Sequence, residues 1–453
     1  TSSSSEMASK GEVGVRIDVR KVPLREADME PFEIMVSESQ ERMLCVCEPE
    51  NVDAVLEVCA RWEVGGTVIG EIIEARQMEI LDDGELVGVI PVEALVDDCP
   101  LYDLEPEAPS EPLYPPPPAT LTATDPREVL LGLLGSANLA SRQPLFEQYD
   151  WLVGSRTVRR PEDADAAVLV MPTGGAIAVA IDGNGRRVAC DPYRGALEAV
   201  LECAANLACV GAEPLGLTNC LNFGNPEKPH IAWQLVEAVR GLGDGCRALD
   251  VPVVGGNVSL YNESHHPGGG PIYPTPVVGM VGELPDPLHA GRVGFVAEGD
   301  AIALVGPFAG ALPGSELAKL RGEPLPTSLP EVDVAAIRAA QEAVRDAVRS
   351  GKLSSAHDVA EGGLLVAVAE SCLAGGLGAT LDLPANADEA ALFGEGPGGF
   401  VVSGPAEALR ALGDRTRVEI IGTVEGDELS AAGFSVTLRE LEASHAALAA
   451  LFA

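Results

Sequence analysis

Between Asp182 and Glu263 the chain reads Asp182-Gly183-Asn184-Gly185-Arg186, then Asp191-Pro192-Tyr193-Arg194-Gly195, then Asn219-Cys220-Leu221-Asn222-Phe223-Gly224-Asn225-Pro226-Glu227-Lys228-Pro229, then Gly255-Gly256-Asn257-Val258-Ser259-Leu260-Tyr261-Asn262-Glu263. These polar, glycine-rich blocks sit at the ends of apolar segments. Buried carboxamides, carboxylates and glycines weaken packing unless something binds them, so their density points to a ligand, read here as a phosphorylated one with its metal. In the first block the glycines let backbone amides approach a phosphate, Asp182 offers a ligand for a divalent cation and Arg186 a clamp for an oxyanion. The same Asp-Gly-Asn-Gly is also hairpin-turn sequence. The Asn219 block reads as a fixed loop that presents amides and Lys228 to an anion. In the last block, expected after a strand at Val251 to Val254, Asn257, Ser259 and Glu263 supply hard oxygens suited to Mg²⁺.

Outward from these blocks, apolar periodicity alternates between strand and helix. Strands are expected at Met43 to Val46, Gly66 to Ile72, Ala166 to Met171, Ala176 to Ile181 and Ala301 to Val305. Helices are expected at Asn51 to Trp62, Arg127 to Ala140, Tyr193 to Val210 and Val334 to Arg349. The class is therefore α/β (α+β). From Pro100 to Thr124 there are eight prolines, a composition that favours extended polyproline backbone and marks a linker. Two stretches match in order and spacing: Leu44 to Val46, a helix, then Val68 to Glu71; and Phe400 to Val402, a helix at Ala406 to Leu412, then Ile420 to Thr423. That pattern reads as two copies of one domain type, only the second of them complete.

The 453 residues suffice for two or three domains, and 69 acidic against 30 basic residues give a formal charge of −39. A field of that sign repels a nucleic-acid backbone. Ten cysteines without a CxxC pair fit neither a zinc site nor a compact disulfide framework, and read as reduced residues of a cytoplasmic protein. No apolar run is long enough to span a bilayer, and no signal-peptide pattern opens the chain.

The blocks DGNGR, DPYRG, NCLNFGNPEKP and GGNVSLYNE, together with Glu38-Ser39-Gln40 inside SESQERM, resemble in content and order the synthetase (large ATP-binding) subunits of the phosphoribosylformylglycinamidine synthase family. The resemblance runs over essentially the whole chain. It implies a duplicated A-B synthetase architecture of the aminoimidazole ribonucleotide synthetase-like type, truncated at the N-terminus. Residues 1–99 then correspond to the C-terminal part of a first B domain, 100–124 to the linker, 125–291 to a second A domain and 292–453 to a second B domain.

The reaction implied is conversion of the formyl amide of formylglycinamide ribonucleotide to an amidine in purine biosynthesis, with ATP and Mg²⁺ as cofactors. Ammonia would come from a glutaminase subunit, with a small accessory subunit as further partner. Carried over by position, Glu38, Ser39, Gln40 and Ser259 resemble substrate-binding residues, Asn219 and Gly256 ATP contacts, and Asn257 a metal ligand. Many relatives carry Asp where Asn219 stands. The first A domain, with the family's catalytic histidines, has no counterpart here, so no catalytic residue is assigned and the fragment alone is expected to be inactive. The six histidines, His265, His266 and His357 among them, read as surface or capping residues. The alternatives are a non-catalytic nucleotide-binding scaffold half, or another ATP-using synthetase of the same fold.

Overall fold

The computed structural model describes residues 2–37, 42–99, 103–264, 266 and 269–452. The chain divides into two units, Thr1–Asp103 and Leu104–Ala453. In the first, β1 (Gly14–Asp18) lies between antiparallel β2 (Gly70–Ile73) and parallel β3 (Gln77–Asp82), with β4 (Glu85–Pro91) antiparallel outside β3. Asp83 and Gly84 join β3 to β4 with φ of 51° and 85°, the left-handed pair that a tight hairpin requires and that Asp-Gly supplies at low cost. Val15, Ile17, Met78 and Ile80 bury one face of this sheet against Ala8 and Val92.

Two expectations fail in this unit. Met43 to Val46 forms no strand and stands exposed, Met43 at 89%. Four consecutive apolar residues need a ladder to become a strand, and β1 already has both neighbours filled. The expected second strand begins only at Gly70. The helix is Val52–Arg61, within the expected span.

The second unit carries two sheets. The first runs in the order β5 (Thr157–Arg159), β6 (Ala167–Val170), β7 (Ala176–Asp182), β10 (Thr275–Leu284), β8 (Glu213–Asn222), β9 (Val253–Ser259). β10 is antiparallel to both β7 and β8, and β9 is parallel to β8, so β7, β8 and β9 all point the same way. Two helices, Pro192–Cys209 and Pro229–Leu249, pack on each other, and the first covers one face of the sheet. Asp191 caps the first through Arg194 N, with Pro192 at the first helical position. Gly241 lies where the two helices cross, and a Cβ there would stand 2.0 Å from the Tyr193 carbonyl oxygen. Gly241→Ala is therefore expected to force the helices apart and cost about 1–3 kcal/mol, read as a lower urea midpoint at unchanged slope.

The second sheet runs β12 (Ser355–Asp358), β14 (Phe400–Gly404), β11 (Ala301–Val305), β15 (Val418–Val424), β13 (Ala379–Leu381), β16 (Glu428–Ala431), β17 (Phe434–Thr437). Its central strands are apolar on both faces because both are covered. Ala303, Val305, Phe400 and Val402 meet helix Val334–Arg349, while Ile302, Val401 and Ile421 meet helices Gly363–Gly375 and Pro126–Leu134. The expected helix from Arg127 stops at Leu134, ahead of Gly135. The described residues between 103 and 124 form no helix or strand, as their prolines require, yet they are tied down. Thr120 N and Leu121 N donate to Leu320 O, and Tyr114 packs edge-on against Tyr273.

Candidate functional site

The common direction of β7, β8 and β9 puts the residues that follow them at one margin of the sheet. Asp182 closes β7, Asn222 closes β8 and Ser259 closes β9. Beyond those ends the segments join: Tyr261 N donates to Gly224 O, Asn262 N to Phe223 O, and Asn225 N to Glu263 Oε1. Lys228 Nζ lies 2.6 Å from Glu263 Oε2, and Tyr261 Oη donates to Glu227 Oε1. Lys228 and Glu263, read from sequence as an anion contact and a cation ligand, thus satisfy each other.

The sequence expectation of loops at Asn219 and Gly255 is corrected, because both blocks begin inside strands. Val278 pairs with Asp182 on one side and Asn219 on the other, and Asn219 pairs with Gly256. These residues form one row, and residues paired across a sheet share a face. It is the helix-covered face, since Asp182 Oδ2 accepts from Asn206 Nδ2 of helix Pro192–Cys209. A Cβ at Gly256 would lie 2.9 Å from Asn219 Oδ1, so the glycine makes room for that amide. Asn257 and Ser259 alternate to the opposite face. There Asn257 Nδ2 contacts Cys220 Sγ at 3.6 Å, and Ser259 Oγ lies beside the Asn262 amide. The structure therefore brings Asp182, Asn219 and Gly256 into one row and sets Asn257 and Ser259 on the other side of it. Glu38, Ser39 and Gln40 lie outside the described residues.

Behind Asp182 is a feature that the sequence did not single out. Glu202, from helix Pro192–Cys209, and Asp358 and Glu361, from and just after β12, share its electrostatic environment. Burial, and next the charge of Glu361, push the Asp182 carboxyl up to about 7. Burial holds Glu202 well above the ordinary carboxylate range, with Asp182 and Glu361 adding to the rise. Asp358 is raised in the same sense by burial and by Asp165. Asn184 Nδ2 donates to Glu361 Oε1 at 2.7 Å, tying the first block to this group. Among the described residues no Lys or Arg pairs with these four carboxylates. The sequence signal was available: Glu198 and Glu202 stand one helical turn apart on an Ala-rich helix whose surroundings are apolar.

Cations close by are already committed. Arg187 makes two bonds to Glu198, at 2.6 and 3.1 Å, with side-chain exposures of 7% and 4%. Arg186 Nη1 lies 2.7 Å from Glu316 Oε2, and its Nη2 lies 3.6 Å from Glu395 Oε2. The reading of His357 as a capping residue is corrected. Its Nδ1 is 2.8 Å from Asp165 Oδ1 and its Nε2 is 3.1 Å from Glu370 Oε2. Burial works to lower its pKa, and the two carboxylates more than offset that, holding the ring protonated well above the usual histidine range. Asp165, His357 and Asp358 also bring their ligand atoms within 4.8 Å of one another. No helix among the described residues is long and apolar enough to cross a membrane.

Comparison with known proteins fits this architecture. The family described as AIR synthase related protein, N-terminal domain, matches residues 163–284, and the AIR synthase related protein, C-terminal domain, matches twice, at 1–83 and 297–434. The repeated C-terminal match agrees with the duplication read from sequence. Phosphoribosylformylglycinamidine synthase subunit PurL of Moorella thermoacetica is 43% identical over 453 residues, which cover 95% of this chain and 59% of that protein. The protein of that name from Synechococcus sp. (strain JA-2-3B'a(2-13)) is 45% identical, covering 89% and 57%. Among solved structures, PurLQS from Thermotoga maritima matches with a TM-score of 0.63 and T. maritima PurL complexed with ATP with 0.61, each at 27% identity over 94% of this chain and 62% of that one. The chain spans about three fifths of the length of the curated relatives it matches. It belongs to the AIR synthase related proteins, and its strong homologues are the subunits named PurL of phosphoribosylformylglycinamidine synthase.

Proposed function

We propose that this chain is the part of a phosphoribosylformylglycinamidine synthase that holds ATP, and that the whole protein converts formylglycinamide ribonucleotide to its amidine with glutamine-derived ammonia. The observation that supports this most is the shared sheet margin at the ends of β7, β8 and β9, with a group of raised carboxylates behind it that, among the described residues, pairs with no Lys or Arg. An amide carbonyl is a poor electrophile, and moving the γ-phosphoryl of ATP onto its oxygen creates a leaving group that ammonia displaces. Such transfer rests on positioning and on neutralising phosphate charge.

In this reading Asn219 and Gly256 contact ATP, Asn257 binds metal, and Ser259 with Glu38, Ser39 and Gln40 contacts the ribonucleotide. Burial and mutual repulsion raise Asp182, Glu202 and Asp358, and a hard divalent cation near them, on the opposite face of the row from Asn257, would relieve that cost. Bound there, Mg²⁺ would offset phosphate charge. Residues 1–99 are assigned to a first B domain, 125–291 to a second A domain and 292–453 to a second B domain, joined by 100–124. A glutaminase and a small accessory subunit are the partners, in the cytoplasm.

Isothermal titration with ATP and Mg²⁺ tests the binding half of the proposal. Asn257→Leu is expected to weaken Mg²⁺-dependent ATP affinity at least tenfold, about 1.4 kcal/mol, while leaving the melting temperature unchanged. Equal affinity with and without Mg²⁺ in both proteins would remove Asn257 from the site. The catalytic half is assayed on this chain joined to the N-terminal portion that the longer relatives carry. ATP-dependent amidine formation with ammonium supports the ligase. Tight nucleotide binding with no turnover supports the scaffold reading instead.

A further inference from the structure

Most arginines of the second unit face carboxylates, as expected in so acidic a chain, but a small group does not. Arg159, at the end of β5, is half-buried and spends three of its five N–H donors on main-chain oxygens, Nε on Gly291 O at 2.7 Å, Nη1 on Val158 O at 3.2 Å, and Nη2 on Ala290 O, which leaves one N–H on each Nη. Arg292 stands beside it, exposed, and among the described residues neither guanidinium forms an ion pair with a carboxylate. The two line a cleft of about 220 Å³, together with Ser354 and Ser355 at the start of β12. Ser355 Oγ is bonded to Ser403 Oγ, while Ser354 Oγ has no partner among the described residues. Burial, and then repulsion from Arg292, depress the basicity of Arg159, and Asp163 opposes this only in part. Two adjacent like charges in a partly enclosed space cost free energy until an anion sits between them.

We propose that this cleft is a binding site for a small oxyanion of phosphate size, held by the guanidinium groups of Arg159 and Arg292 with the Ser354 hydroxyl as a further donor. The chemistry is that of bidentate guanidinium recognition, which suits a tetrahedral oxyanion better than a halide. The volume limits the occupant, since it lies below the range typical of sites for larger organic ligands. The cleft joins β5 and the segment after β10 to the turn between helix Val334–Arg349 and β12. An anion there would tie the two sheets of this unit together.

The test is a thermal shift and a ³¹P titration on the chain as described, with inorganic phosphate, with ribose 5-phosphate, and with NaCl at matched ionic strength. Phosphate at about 20 mM is expected to raise the melting temperature by about 3 °C over the NaCl control. Arg292→Glu, at an exposed position, should weaken phosphate binding at least tenfold, and Arg159→Lys should weaken it less because the charge remains. Asn257→Leu should keep the full response. A response to ribose 5-phosphate alone would make the occupant a phosphate monoester rather than free phosphate, with the same residues responsible. Equal melting in phosphate and NaCl would overturn the proposal. So would a response abolished by Asn257→Leu and untouched by Arg292→Glu, which would put the anion at the nucleotide site.

Discussion

Magnesium added to this chain at pH 8 is expected to raise its melting temperature by several degrees, and at pH 5 to change it little. Asp182, Glu202 and Asp358 all have folded pKa values above those of a free carboxyl, Asp182 at about 7. A carboxyl whose pKa rises on folding favours the native state when protonated. For Asp182 that contribution is complete below about pH 4 and disappears as pH climbs through about 7, so the metal-free chain should lose a few kcal/mol across this window, and Glu202 and Asp358 act in the same direction. A divalent cation does the work of those protons once they have left. At a hundredfold excess over its dissociation constant it contributes about 2.7 kcal/mol, or about 3–6 °C for a unit of this size. The double substitution Asp182→Asn with Asp358→Asn should flatten the pH profile and abolish the magnesium response together. A metal-free chain whose melting point did not fall between pH 5 and pH 8 would contradict the arrangement of these carboxylates.

Arg187→Met is expected to be among the most damaging single substitutions in the second unit, costing about 3–5 kcal/mol. It would strand Glu198, whose side chain is only 4% exposed and whose two bonds both come from that guanidinium. Burial alone works against the charge of Arg187, and Glu198 more than offsets it. Removing both partners with Arg187→Met and Glu198→Leu should recover most of the loss, because an apolar pair needs no counter-charge. A double-mutant cycle on urea midpoints separates the outcomes. If the single variant cost under about 1 kcal/mol, water would have to reach Glu198, against its burial.

Where local pattern and final environment agreed, the sequence was easy to read. Helix Val334–Arg349 was legible to the residue because its apolar positions repeat at helical spacing and Asp333 caps it through Ala336 N. Residues 301–305 and 400–402 read as strands because both of their faces are covered, which leaves continuous apolar runs. Gly255-Gly256-Asn257 was misread as loop, since glycine and asparagine disfavour strands. The ladder to β8 overrides that preference, and Gly256 supplies space for Asn219. The His357 arrangement was out of reach for another reason. Its partner Asp165 lies 192 positions away, and no local spacing encodes a contact of that range. The same holds for Asp182, Glu202, Asp358 and Glu361, which come from separate elements and meet only once the two sheets of the second unit are in place.

Among the described residues strand β9 ends its sheet, hydrogen-bonded along one side, and it carries Val253 at 52%, Val254 at 73% and Val258 at 55% exposure. Open amides flanked by bare valines form a template on which identical chains stack. Concentrated preparations of the isolated polypeptide should therefore deposit as fibrous precipitate seeded at that rim, and a lysine in place of Val254 should keep them clear.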